Sequence, residues 1–153
     1  MVIDMDRYEK INNSINDNVY GLDLYYGKIG SKPGHNTLFY YIVENSNDDE
    51  FVEKEALKML TGFGKTYYGF YGKYESKWHI AFDEADITVF GEDKDVAMTV
   101  GYVSLKEMAE DILMEMHVRS FIPCNIYIIY DDEKLYMELK EFLNDKELIA
   151  NLY

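Results

Sequence analysis

The chain has 153 residues, 48 % of them hydrophobic, with 29 acidic side chains against 15 basic ones and a net charge of −14. That length suits one domain with a buried core, and the apolar share excludes a disordered chain. So negative a surface repels phosphate backbones, which excludes nucleic-acid binding through a basic groove and favours rapid encounter with a basic protein partner. Charge kept for solubility alone is the plain alternative, although a net charge of magnitude ~2–8 already suffices for a small domain.

One cysteine, Cys124, precludes an intramolecular disulfide and suits a reducing cytoplasm. Between Pro123 and an apolar run, it reads as a buried, inert thiol. The opening MVIDMDRYEK carries two aspartates and no long apolar run, so no secretory signal is expected. No stretch approaches the ~20 apolar residues of a membrane span. The expectation is a single α+β domain over residues 1–153.

In chain order, residues 3–16 suggest a first helix, weakened by an asparagine-rich end. Residues 19–29 alternate as a strand, with Val19, Gly21, Asp23 and Tyr25 on one face. After the turn at Gly30–Gly34, residues 35–44 give a second strand, expected to form a hairpin with the first. Asn47 with Glu50 suggests a helix cap. Val52, Ala56, Met59, Leu60 and Phe63 form one apolar stripe, ended by Gly62 and Gly64. Residues 65–90, rich in aromatics, read as a β-meander at the middle of an antiparallel sheet of about six strands. A strand is expected over 96–103. Ser104 and Glu107 form a capping box, opening a helix whose buried stripe is Leu105, Met108, Ala109, Ile112, Leu113 and Met116. Pro123 stops that unit, and 126–130 reads as a strand covered on both faces. Asp131 or Asp132 caps a further helix through Leu135, Leu139, Phe142 and Leu143. A short last helix is marked by Asn144 and Glu147.

Three fragments carry chemistry. Gly62-Phe63-Gly64-Lys65-Thr66 ends like a phosphate-binding P-loop. Met59 stands where the loop needs its first glycine, and the segment leaves a helix and opens a strand, the reverse of what phosphate binding requires. His35-Asn36-Thr37-Leu38 resembles the His-x-Thr element of two-histidine phosphoesterases. That resemblance implies a paired second element, but two residues after His79 stands Ala81 and two after His117 stands Arg119. The rival function it supports is a phosphodiesterase acting on cyclic oligonucleotides. Asp86 with Glu92-Asp93-Lys94 resembles the Asp…Glu-x-Lys pattern of metal-dependent nucleases, although here the last three lie in a glycine-led turn. Of the other acidic groups, at 48–50, 83–86 and 131–133, two sit at predicted helix starts, where carboxylates favour the dipole's positive end, and none forms a calcium loop. No cofactor, metal site or catalytic set is expected.

Glu107, Asp111 and Glu115 recur every four residues, with Glu110 beside them. Like charges so spaced repel by a few tenths of a kcal/mol per pair. They are the first candidates for a contact face; Asp83, Glu84 and Asp86 are the second. Tyrosine makes up 15 of the 153 residues, and tyrosine gives large contact area at low entropy cost. Acids and tyrosines together suggest a non-enzymatic, cytoplasmic inhibitor. Its partner would be a basic, nucleic-acid-handling protein, either a toxin nuclease met by immunity or a host defence nuclease met by DNA mimicry. An accessory domain without such a partner is the bland alternative. No direct contact with nucleic acid or membrane is expected.

Overall fold

The computed structural model describes residues 8–11, 19–25, 37–92, 98–118 and 125–152. The strands are β1 (Tyr8–Lys10), β2 (Val19–Asp23), β3 (Thr37–Ile42), β4 (Tyr67–Tyr71), β5 (Met98–Gly101) and β6 (Asn125–Tyr130). The helices are α1 (Asp49–Phe63), α2 (Glu75–Phe90), α3 (Leu105–Val118), α4 (Glu133–Leu143) and α5 (Lys146–Leu152). Helices and a six-stranded sheet thus make an α+β chain, with strand order β1-β2-β6-β3-β4-β5.

The sheet is mixed and mostly parallel, not mainly antiparallel as the sequence suggests. Only β1 runs antiparallel, against β2; the other five strands are parallel. Parallel neighbours need crossovers, and helices supply them: α1 between β3 and β4, α2 between β4 and β5, and α3 on the way back to β6. The expected hairpin between 19–29 and 35–44 does not form, because β6 lies between β2 and β3 and pairs with both. Every residue of β3 is buried, as a central strand covered on both faces requires.

Two further segments differ from their sequence reading. The supposed meander over 65–90 is β4 followed by α2. The chain turns at Gly72, whose φ of 131° brings it so close to β3 that a Cβ would lie 2.7 Å from the Val43 carbonyl. Trp78, Ala81, Phe82, Ala85 and Asp86 are then buried at helical spacing. Runs of three residues such as 79–81 and 87–89, apolar or aromatic at alternate positions, are too short to separate a period of two from one of 3.6. Within the expected first helix, 8–10 form instead the edge strand β1, paired Tyr8 to Leu22; residues 3–7 and 12–16 lie outside the described ones.

Local signals fared better. Asp48, rather than Asn47, caps α1 by accepting from the Phe51 amide at 2.9 Å, and Gly64 ends that helix at φ 77°. Ser104 accepts from the Glu107 amide at 3.1 Å, and all six stripe residues of α3 are buried. Asp132 caps α4 on the Leu135 amide at 3.0 Å.

Residues of β3 alternate between two cores. Leu38, Tyr40 and Ile42 pack with α3 and α4; Phe39 and Tyr41 pack with α1 and α2. Gly21 lets α4 approach closely, since a Cβ there would fall 1.8 Å from the Tyr136 hydroxyl. The α1–α2 side is a ring assembly, with Tyr41 5.4 Å from Trp78 and Phe82 4.9 Å from both Tyr68 and Phe70. The buried Tyr41 hydroxyl has no hydrogen-bond partner among the described residues. Leaving such a group unpaired costs about 1–3 kcal/mol. Tyr41→Phe is therefore expected to raise stability in urea by about 1 kcal/mol; an equal loss would mean that the hydroxyl is bonded in solution. No described helix is long and apolar enough to cross a membrane.

Candidate partner-binding surface

Helix α3 does not present its carboxylates as one outward row. Glu107 is exposed, while Glu110, Asp111 and Glu115 are half-buried. Asp111 faces the sheet. Its Oδ2 accepts from the Tyr67 hydroxyl at 2.7 Å, from Tyr40 at 3.1 Å and from Tyr102. The Tyr67 and Tyr102 hydroxyls also lie 2.5 Å apart. Burial, then the Asp111 charge, holds the Tyr40 phenol well above its ordinary range. Burial first, then hydrogen bonding to Asp111, does the same for Tyr102. Burial likewise raises Tyr67. All three therefore stay protonated donors at neutral pH. Glu115 lies near enough to add to the upward shifts of Tyr40 and Tyr67.

On α2, Asp83 and Glu84 are exposed, but Asp86 is buried at 4 %. Asp86 faces Tyr68, whose phenol is raised chiefly by burial and secondly by that charge. Asp83 accepts from Thr99 Oγ1 at 2.6 Å, and Thr99 Oγ1 lies 2.9 Å from His79 Nε2. The hydroxyl gives its proton to Asp83, so it must accept from His79. This trio ties β5 to α2 and is not the arrangement of an activated nucleophile.

Around Asp83 and Glu84 lies a feature the sequence reading missed. Ile80 is 57 % exposed, Ile87 49 % and Phe90 42 %. Ile80 and Ile87 stand two helical turns apart on one line, with the two carboxylates between them. The signal was present as a seven-residue spacing, hidden once the segment was read as strands.

A third feature is a crevice of about 660 Å³ lined by Tyr25, Ser46, Asp48, Glu50, Phe51 and Lys54, among others. Its lining comes from the β3–α1 connection, the start of α1 and Tyr25 beyond β2, and the β6–α4 connection leaves for the other face of the sheet beside it. Tyr25 stacks on Phe51 with centroids 5.4 Å apart and is hydrogen-bonded through its hydroxyl to Ser46 Oγ. Asp131, at the end of β6, accepts from three successive amides of the β3–α1 loop.

His35, Asp93, Lys94 and Cys124 lie outside the described residues; Glu92 is exposed at the end of α2. Among the described residues, no group of three or more His, Cys, Asp or Glu is placed to hold a metal ion. Comparison of the chain with protein-family models, curated proteins and solved structures gave no match.

Proposed function

We propose that the chain is a small acidic inhibitor that binds a basic, nucleic-acid-handling protein and occludes its substrate groove. Immunity against a toxin nuclease and phage-type neutralisation of a host defence nuclease are the two settings, both cytoplasmic. The observation that supports this reading is the outer face of α2, where Ile80 and Ile87 flank Asp83 and Glu84 on a chain of net charge −14. Exposed apolar anchors that become desolvated supply most of an interface's affinity, and surrounding charge steers the encounter. Helix α2 thus takes precedence over α3, where the Asp111 carboxylate already serves three phenols. Glu107 and Glu110 remain available as a second acidic patch.

The test uses the protein as bait at low and high salt, with the captured partner identified and purified. The double variant Glu84→Lys/Ile87→Lys is expected to bind that partner about 30-fold more weakly, a loss of about 2 kcal/mol typical of an interface anchor. The control, Glu141→Lys/Glu147→Lys, removes more negative charge from exposed positions on α4 and α5. It is expected to slow association only modestly. Equal binding by both variants would remove α2 as the contact face.

A further inference from the structure

We infer that the backbone of Glu44, Asn45 and Ser46 forms a binding site for a small oxyanion, a carboxylate or phosphate, and that the Asp131 side chain is its tethered occupant. Asp131 Oδ1 accepts from the Glu44 amide at 2.8 Å. Its Oδ2 accepts from the Asn45 amide at 3.0 Å and from the Ser46 amide at 2.8 Å. Three successive N–H groups converging on one anion make the kind of concavity that binds phosphates and carboxylates elsewhere. It lies at the carboxyl ends of adjacent parallel strands, β3 and β6, where the connections leave for opposite faces.

The loop is held in this shape by contacts that do not use the Asp131 carboxylate. Asn45 Nδ2 donates to the Asp131 carbonyl at 3.1 Å, and the Asp131 amide donates to the Ile42 carbonyl at 3.1 Å. Trp78 Nε1 donates to the Ser46 carbonyl at 3.0 Å. The three amides should therefore keep their aim when the carboxylate is removed. The start of α1 beside the crevice is likewise occupied by its own Asp48, which leaves the Lys54 side chain as the cationic part of the crevice wall. In the native chain a tethered carboxylate competes at an effective concentration in the millimolar range or above, so free phosphate is shut out. Beside the crevice, the chain's own Asp131 thus fills the amide seat that a free phosphate would take, whatever partner α2 binds.

The experiment compares native protein with Asp131→Gly and Asp131→Asn, using sodium acetate and inorganic phosphate as probes and sodium chloride at matched ionic strength as the reference. Trp78 is the only tryptophan, and its bond to Ser46 makes its fluorescence a reporter of the loop. Asp131→Gly is expected to show a saturable fluorescence change and a Tm that climbs with acetate or phosphate as 1 + [L]/Kd dictates. Native protein should show no saturable fluorescence change, and only the general rise in Tm that an excluded anion such as phosphate gives any fold. Asp131→Asn keeps one acceptor oxygen in the loop and should fold with a weaker response. If Asp131→Gly is unfolded in buffer, recovery of its far-ultraviolet circular dichroism on adding acetate is the same positive result. The inference is overturned if neither variant shows a saturable fluorescence change with either anion, or if native protein responds as strongly as Asp131→Gly.

Discussion

Asp111→Ala is expected to destabilise the protein by about 3 kcal/mol, less than three separate hydrogen bonds to a charged acceptor at about 1.5–3 kcal/mol each, because the Tyr67 and Tyr102 hydroxyls, 2.5 Å apart, can still bond to each other. Tyr40 and Tyr102 are buried, so water replaces the carboxylate poorly. Asp111→Asn keeps an acceptor oxygen and should lose less. Asp111→Lys should lose most, since it adds a second set of donors to a site already made of donors. Urea unfolding checks the series, with a lower midpoint at unchanged slope as the expected form. An unchanged midpoint for Asp111→Ala would mean that the three phenols find other partners and that Asp111 is free for a contact role. Charge reversal at Asp111 therefore reports on folding, whereas reversal at exposed Glu84, which belongs neither to the core nor to a helix cap, reports on binding.

The second large effect is alkaline unfolding. Tyr40, Tyr41, Tyr68, Tyr102 and Tyr136 all have phenols raised above the ordinary value, and burial is the leading cause in each. A folded-state value above the unfolded one means that the associated stability is fully present below about pH 10 and is lost as pH rises toward the folded value. In that window the unfolded chain sheds protons that the native one keeps. Each phenol then lowers stability by about 1.4 kcal/mol per pH unit, or about 7 kcal/mol per unit for the five together. Stability should be flat with respect to these groups between pH 7 and about pH 9, then collapse cooperatively within about one to two units. Tyrosinate absorbance and circular dichroism should change together. Gradual ionisation of these tyrosines near pH 10 with native circular dichroism would contradict the burial assigned to them.

The parts of this fold that were legible in the sequence are those governed by neighbours along the chain. Ser104 and Glu107 cap α3 through contacts three residues apart, and the apolar stripes of α1 and α3 repeat within one helix. The continuous apolar run at 126–130 signalled a strand covered on both faces, which β6 is. The sheet's direction was not legible, because β3 is paired with β6 across more than eighty residues and no local signal fixes that register. Helix α2 was missed because its aromatic residues favour strands and its apolar side chains occupy both its inner and its outer face. The four-residue spacing of Asp111 from Glu107 and Glu115 suggests an outward row, but spacing among acids does not place them relative to the core. Three residues after buried Met108, Asp111 lies at the edge of the apolar arc, and Glu115 lies likewise three after buried Ile112. Half-buried Glu110, three residues before buried Leu113, lies at the other edge of the arc, and Glu107 alone lies opposite it. Distance from the buried stripe, and not spacing from the other acids, separates Glu107, which faces water, from the three acids that lean on the core.

The central claim, occlusion of a nucleic-acid groove by an acidic surface, is tested most directly by competition. The purified partner is held with a labelled duplex or single strand, and the protein is added at fixed salt while bound nucleic acid is measured. The account predicts complete displacement at stoichiometric protein, with apparent affinity falling as salt rises, and little displacement by Glu84→Lys/Ile87→Lys. A stable ternary complex of protein, partner and nucleic acid would contradict it.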